Sequence, residues 1–246
     1  MASQEIVLFD LPSRAPNKCW SLNPWKTRLL LNYKGLPYRT EWVEYPDIKP
    51  RFKDHFPADT EKYTIPTAIL ADGSWVMDSA AIAERVEAQH PTPAARIDSP
   101  YVARVVAELA PAMGALVPVY LPAVHANVLT AASQPYFRAT REATFGAALE
   151  DVAAGVAPGT PGRAAVLAAA APHLRAVSAL LREDPAGPFF EGARPSYADF
   201  VWAGHLLFAR QLAGGIFEDV LAATGDEEVH RSLLDAVKPW SDRDDH

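Results

Sequence analysis

The chain has 246 residues, of which 49% are hydrophobic and 22% charged, a balance typical of a globular protein with a substantial core. Its formal charge is −7 and no run of basic residues interrupts it, which argues against nucleic acid and anionic membrane surfaces as partners. A single cysteine excludes an internal disulfide framework and any zinc site built from several cysteines.

The N-terminal region is acidic by residue five and has no basic stretch followed by an apolar run. No segment reaches the roughly 18 uninterrupted apolar residues of a membrane helix. We therefore expect no signal peptide, no membrane insertion and a cytoplasmic setting.

The first ninety residues alternate between strand and helix patterns. A short apolar run over 5–10 predicts a buried strand, and from Pro24 the apolar residues share one helical face until Gly35. The alternating segment 38–45 predicts a half-exposed strand. The Pro-interrupted segment after it can form only a short helix.

The segment 67–78 predicts a β-hairpin, because an Asp-Gly pair separates two apolar runs there. The amphipathic pattern of 79–90 predicts a helix that ends before Pro91. The order β-α-β-α-β-β-α predicts a compact α/β domain over about residues 4–90.

A Pro-rich segment, 91–100, separates this region from one of different character. From Tyr101 onward the sequence is rich in alanine and leucine at helical spacing, with breaks at 155–162 and 182–196. We therefore predict a second domain, an all-α helical bundle over about residues 101–240.

The segment NKCWSLNPWKTRLL, residues 17–30, places polar residues just before the first predicted helix. Asn23 followed by Pro24 is the better local cap, since Asn is favoured at the N-cap and Pro at the first helical position. This assignment leaves Ser21 free of capping. Cys19 is most simply a small buried hydrophobe.

Two further junctions carry polar residues at helix starts. Asp78 and Ser79 end a strand and open a helix, where free N–H groups and the helix dipole favour a carboxylate ligand, although either residue could simply cap the helix. Ser196 and Asp199, in S-Y-A-D, predict a capping box with Asp in place of the usual Glu. The seven histidines show no metal-ligand spacing, so we predict no metal site.

Three features in this order and at this spacing resemble the cytosolic glutathione transferases over essentially the whole chain. They are the Ser21 junction followed by WKTRLLLNYKGLPY, the segment TIPTAIL followed by MDSAAIAERV, and the segment GPFFEGARPSYADF. The run that begins WSLNPWKTR most resembles the fungal branch related to bacterial lignin β-etherases. The resemblance implies a thioredoxin-like N-terminal domain that binds glutathione, an all-α C-terminal helical bundle, and a homodimer.

The resemblance also assigns the glutathione-binding residues. It implies a cis peptide bond at Ile65-Pro66 that leaves the backbone of Ile65 open to the cysteinyl residue, although Pro66 could merely begin a strand. Asp78 and Ser79 would hold the γ-glutamyl end, at a position where the family more often carries Glu. A basic residue should meet the glycyl carboxylate, with Lys53 as first choice and Lys62 as rival. The list of candidates is therefore Ile65, Pro66, Asp78, Ser79, Lys53 and Lys62.

Ser21 aligns with the catalytic serine or cysteine of the family. A hydroxyl that donates to the glutathione sulfur, together with the N-terminus of a helix, would stabilise the thiolate. Asn23 could donate through its amide instead, as some relatives of this kind do. The capping box at Ser196 and Asp199 is expected to serve folding rather than catalysis.

The implied function is transfer of glutathione to hydrophobic electrophiles in detoxification, and in the etherase-like branch also cleavage of aryl ethers or thioesters. Two alternatives remain open: a non-catalytic ligand carrier or regulatory protein with the same fold, and a thiol oxidoreductase that uses Cys19. Four side chains are candidates for an acceptor pocket, although each alone is more simply a packing aromatic: Tyr120, His125, Tyr136 and Phe137.

Overall fold

The N-terminal half is built on a mixed sheet, which in the computed structural model has four strands within residues 5–244, the part of the chain that the structure describes. In spatial order the sheet is β2-β1-β3-β4; β1 runs parallel to β2 and antiparallel to β3, and β3 and β4 form the hairpin. The strands are β1 (Ile6–Asp10), β2 (Tyr38–Trp42), β3 (Thr67–Ile69) and β4 (Trp75–Met77).

The predicted order of strands and helices in this half is confirmed. Every residue of β1 is buried, as its continuous apolar run predicts for a central strand. Gly73 has a φ of 83° in the hairpin turn, a conformation that L side chains disfavour. The helices are α1 (Leu22–Tyr33), α2 (Ile48–Phe52), preceded by a 3₁₀ turn (Tyr45–Asp47), and α3 (Ser79–Gln89).

The rest of the described chain is helical, as predicted. Its central helix is α8, which packs against α1; a Cβ on Gly204 of α8 would lie 3.1 Å from the carbonyl oxygen of Leu22. The absence of a side chain at Gly204 therefore lets the two halves approach closely. The helices are α4 (Pro100–Asn127), α5 (Gln134–Phe145), α6 (Leu149–Gly155), α7 (Pro161–Leu181), α8 (Tyr197–Gln211), α9 (Ile216–Ala223) and α10 (Glu227–Ser241).

Two of these helices, α4 and α7, have the length and hydropathy of membrane spans, with mean hydropathies of 1.6 and 1.5 over 18 residues. The two helices pack against each other, and α4 also packs against α8. Leu116 of α4 and Leu174 of α7 are fully buried in this bundle. The bundle buries 28% of the apolar window of α4 and 39% of that of α7, so the core accounts for part of the apolar character of both helices.

The chain after α10 returns to the N-terminal half. The carbonyl oxygen of Asp244 accepts a hydrogen bond from the backbone N–H of Cys19 at 2.7 Å. The guanidinium of Arg243 lies 4.0 Å from the ring centroid of Tyr38, and the side-chain amide of Asn32 donates to the carbonyl of Trp240 at 2.6 Å. The end of the described chain therefore braces the segment that leads into α1.

Ser196 and Asp199 form a capping box at the start of α8, and both side chains are fully buried. The Asp199 carboxylate accepts hydrogen bonds from the backbone N–H of Ser196 at 2.7 Å, from its hydroxyl at 2.9 Å, and from the N–H of Phe190 at 2.9 Å. Burial raises the pKa of Asp199 to about 6, although these hydrogen bonds oppose the shift. The box therefore joins the 182–196 connection to the central helix.

We predict that Ser196→Ala lowers the free energy of unfolding by about 0.5–2 kcal/mol, because the buried carboxylate loses the hydroxyl donor and the helix loses its cap. Urea unfolding measures this change. Glutathione affinity per folded molecule should stay unchanged, and a loss of affinity in well-folded protein would contradict a purely structural role. Ser232→Ala, at an exposed position of α10, is the matched control and should leave the unfolding free energy nearly unchanged.

Candidate active site

Ser21, and not Asn23, stands at the N-cap of α1, so the capping assignment made from the sequence is wrong. The backbone of Ser21 is extended, with φ −79° and ψ 138°, and its carbonyl accepts the first helical hydrogen bond from the N–H of Trp25 at 3.1 Å. Pro24 is tolerated in the first turn because the N–H groups there have no partner within the helix.

The hydroxyl of Ser21 nevertheless makes no capping hydrogen bond. Within residues 5–244 this half-buried hydroxyl has no protein partner, so it is available to a ligand. Asn23 is exposed, and its side-chain oxygen accepts a hydrogen bond from the ammonium of Lys26 at 2.9 Å. The amide nitrogen of Asn23 stays available for a second contact.

Cys19 is fully buried behind the junction. Burial raises the pKa of its thiol well above the ordinary value, and the nearby carboxylate of Asp10 adds to the effect. A reactive cysteine needs an accessible site that favours the thiolate, whereas this one is enclosed and beside an anion. The geometry therefore disfavours thiol exchange at Cys19.

The peptide bond between Ile65 and Pro66 is cis. The carbonyl of Pro66 accepts a hydrogen bond from the N–H of Asp78 at 3.1 Å. By contrast, neither the N–H nor the C=O of Ile65 has a hydrogen-bond partner among the described residues. An extended peptide could pair with these two groups as an added strand does.

Asp78 and Ser79 combine capping with groups left open to a ligand. One carboxylate oxygen of Asp78 accepts from the N–H of Ala80 at 2.8 Å and of Ala81 at 3.3 Å, which caps α3. Asp78 has a φ of 83°, a strained value for a residue other than glycine and one often found at functional sites. The carbonyl of Ser79 accepts from the hydroxyl of Tyr197 at 2.9 Å. The hydroxyl of Ser79 has no partner in the described part of the chain.

A cleft of about 790 Å³ opens between the two halves at the start of α1. Of the residues predicted for the site, Ser21, Asn23 and Ile65 line it, and so does Lys62. Pro66, Asp78 and Ser79 lie outside its lining. The carboxylate of Asp78 partly offsets the burial that lowers the pKa of Lys26, and the ammonium of Lys26 contacts Asn23 of the cleft lining.

Of the four candidates for an acceptor pocket, one lines the cleft and three do not. Tyr136 lines the cleft. Tyr120 lies in the core of the helical half with its hydroxyl 2.8 Å from Nε2 of His205, which confirms that it is a packing aromatic and not a pocket residue. Phe137 is buried beneath the cleft wall, and His125 stacks on it at 6.4 Å without reaching the lining.

Sequence reasoning missed several residues of the cleft. Leu11 and Tyr45 follow the carboxyl ends of β1 and β2. Because these strands are parallel, the residues that follow them lie at the same edge of the sheet. The sequence pattern of the two strands could therefore have predicted both residues. Arg141 lies four residues after Phe137 on α5 with its guanidinium 4.6 Å from that ring. A Phe-Arg pair at this spacing shares one helix face.

No group of three or more His, Cys, Asp or Glu side chains that could hold a metal ion occurs within residues 5–244. The chemistry available here rests on other groups: a free hydroxyl at a helix N-terminus, an open backbone pair and a few cationic side chains. This combination suits a thiol-bearing peptide.

The chain belongs to the glutathione S-transferase family, because residues 20–89 match the family model of the N-terminal domain and residues 106–240 that of the C-terminal domain. A glutathione S-transferase of Ceriporiopsis subvermispora, crystallised with glutathione, is 30% identical with a TM-score of 0.79, over 96% of this chain and 98% of that one. Glutathione transferase GSTFuA3 of Phanerochaete chrysosporium is 27% identical with a TM-score of 0.76, over 97% and 98% of the two chains.

A curated protein, the glutathione S-transferase-like protein ustS of Aspergillus flavus, is 28% identical over 96% of this chain and 90% of its own length. These relatives are fungal, which supports a transferase of fungal type. The thioredoxin-like sheet followed by a helical domain is therefore the glutathione transferase fold.

We predict that Lys62→Ala weakens glutathione binding about 5- to 10-fold, because Lys62 lines the cleft beside Ile65 and a charge-assisted contact to the glycyl carboxylate would be lost. Lys53→Ala is the matched control, since Lys53 is also exposed but lies outside the cleft lining. Isothermal titration of both variants with glutathione decides between them. Weakened binding in Lys53→Ala alone would contradict the assignment.

Proposed function

We propose that this protein is a glutathione transferase that holds the glutathione sulfur as a thiolate at Ser21 for attack on hydrophobic electrophiles. The observation that carries the proposal is the hydroxyl of Ser21, which stands at the N-cap of α1, faces the cleft and is used by no other group within the described residues. A cap residue whose hydroxyl does not cap is free to donate to a ligand.

We propose that each residue of glutathione meets a different group of the site. The N–H and C=O of Ile65 would pair with the cysteinyl backbone. Asp78 and the hydroxyl of Ser79, at the N-terminus of α3, suit the ammonium and carboxylate of the γ-glutamyl end. Lys62 would meet the glycyl carboxylate.

The energy required is within reach of these groups. A cysteine-type thiol has an ordinary pKa of about 8.5, and lowering it by about two units requires roughly 2.7 kcal/mol. A hydrogen bond to a charged group contributes about 1.5–3 kcal/mol, and a helix N-terminus about 0.3–1 kcal/mol. Ser21 and α1 together can therefore supply a shift of this size.

The thiolate would attack an electrophilic carbon as the leaving group departs with the bonding pair. Apolar residues on the cleft wall, including Leu11, Ile48 and Tyr136, favour a hydrophobic acceptor. Cleavage of an aryl ether would use the same thiolate with an aryloxide as the leaving group. In a thioester, the glutathione sulfur would bond to the carbonyl carbon while the original carbon–sulfur bond breaks and its thiolate leaves. A cytoplasmic homodimer that serves detoxification is the setting that the family resemblance implies.

We predict that Ser21→Ala raises the pKa of the bound glutathione thiol by about 1–2 units and lowers kcat about 10- to 100-fold, because the sulfur loses its hydroxyl donor. Asn23→Ala is the matched comparison at the adjacent turn and should change both quantities less. Thiolate absorbance of the glutathione complex as a function of pH measures the pKa, and conjugation of a panel of electrophiles measures kcat.

The outcomes separate the alternatives. A larger effect in Asn23→Ala would transfer the role to the amide of Asn23. Tight binding of glutathione and of a hydrophobic dye, without turnover of any electrophile, would replace the transferase with a ligand-binding protein. Disulfide reduction that depends on Cys19 would favour the oxidoreductase, against the burial of that thiol.

A further inference from the structure

The helical wall of the cleft carries a guanidinium, that of Arg141, which forms no ion pair within residues 5–244. One of its nitrogens donates to the hydroxyl oxygen of Thr140 at 3.1 Å, and its carbon lies 4.6 Å from the ring centroid of Phe137. Three residues earlier on α5, Arg138 pairs with Glu142 at 2.8 Å and Glu150 at 2.5 Å. Glu142 and Glu150 therefore serve Arg138, and the carboxylate of Glu44, next to Tyr45, accepts hydrogen bonds from the hydroxyls of Thr130 and Ser133. The charge of Arg141 is left to the cleft.

Two tyrosine rings line the same cleft as this charge. The ring of Tyr45 lies nearly parallel to that of Tyr136, with centroids 6.4 Å apart, and meets the edge of Phe137 at 5.4 Å. Tyr136 is 47% exposed and lines the cleft, so a ligand in the cleft can cover it.

Tyr45 does not neutralise Arg141. Burial raises the pKa of Tyr45 to about 12 although the guanidinium opposes the rise, so its phenol is uncharged at neutral pH. The hydroxyl of Tyr45 has no hydrogen-bond partner among the described residues. A ligand anion would therefore find a full positive charge at Arg141 and a free donor close by.

Glutathione does not account for this charge. The groups proposed to bind it belong to the N-terminal half, with Lys62 as the cation for the glycyl carboxylate, whereas Arg141 lies on the helical wall. The cleft lining holds Lys49, Lys62 and Arg141 against a single acidic residue, Glu61, although the chain as a whole has a charge of −7. The position of Arg141 on the helical wall, away from the groups proposed to bind glutathione, points to a second anionic ligand.

We infer that Arg141, Tyr45 and Tyr136 form an acceptor subsite that selects electrophiles in which an aromatic ring carries a carboxylate. The inference rests on the proposed transferase function. The ring would pack on the two tyrosines and the carboxylate would pair with the guanidinium, which presents parallel N–H donors suited to a carboxylate.

A suitable probe is the electrophile 4-(chloromethyl)benzoate. Its methyl ester, which has the same ring and leaving group but no charge, is the control substrate. In the transfer step the thiolate sulfur forms a bond to the benzylic carbon while the carbon–chlorine bond breaks, and chloride leaves with the bonding pair. The carboxylate takes no part in the bond changes, so its effect reports recognition alone.

We predict that the protein prefers the carboxylate acceptor over the ester by about tenfold or more in kcat/KM, after correction for the reaction without enzyme. Arg141→Gln should remove this preference mainly through KM of the carboxylate, and should change kcat/KM of the ester less than that of the carboxylate. Arg141→Lys should retain part of the preference, because it keeps the charge without the paired donors. Arg138→Gln, on the same helix but outside the cleft, should retain all of it.

A binding experiment separates this inference from the proposed function. The conjugates S-(4-carboxybenzyl)glutathione and its methyl ester are titrated into the protein and each variant, with thermal unfolding as a check on folding. Tighter binding of the carboxylate conjugate than of the ester conjugate, with the difference lost in Arg141→Gln, supports the subsite. It does so even if the protein turns over neither 4-(chloromethyl)benzoate nor its methyl ester. Absence of turnover would overturn only the proposed transferase function. Equal binding of both conjugates, or a preference that survives in Arg141→Gln, would overturn the subsite whatever the turnover.

Discussion

A buried ion pair at the carboxyl end of β1 is the constraint on which the site depends. Nε of Arg28, on α1, lies 2.9 Å from the carboxylate of Asp10, and both side chains are fully buried. Arg28 also donates to the hydroxyl of Thr40 on β2 at 2.8 Å. Burial raises the pKa of Asp10, and the guanidinium opposes the rise. Because losing one partner would strand a buried charge at a cost of about 3–5 kcal/mol, the pair ties β1, β2 and α1 into one arrangement.

That arrangement determines where Ser21 stands. The chain between β1 and α1 is held at its start by the carboxylate of Asp10, which accepts the N–H of Leu11 at 2.6 Å. Near its end, the indole N–H of Trp20 donates to the carbonyl of Pro12 at 3.2 Å, and the N–H of Cys19 donates to Asp244 at 2.7 Å. These contacts position the loop, and none of them uses the hydroxyl of Ser21. The hydroxyl is therefore available to the ligand.

The sequence predicted the elements of the fold because their signals are local: the Asp-Gly turn of the hairpin, the buried run of β1 and the S-Y-A-D box each lie within a few residues. The cap of α1 was misassigned to Asn23 because the direction in which the chain enters the helix depends on the Asp10–Arg28 pair, a contact 18 residues apart in sequence. Arg141 was missed for a related reason. The cleft exists only where two separately encoded halves meet, and helix periodicity alone does not say which face of α4 or α5 borders it.

The central claim is that the Ser21 hydroxyl, left unused by the fold, holds the glutathione sulfur at the start of α1. A crystal structure of this protein with bound glutathione tests it most directly. The account predicts the sulfur within about 3.5 Å of the Ser21 oxygen, as for a hydrogen bond to sulfur, with the cysteinyl backbone paired to Ile65. A sulfur that contacts the amide of Asn23 instead, or that lies out of reach of both residues, would contradict it.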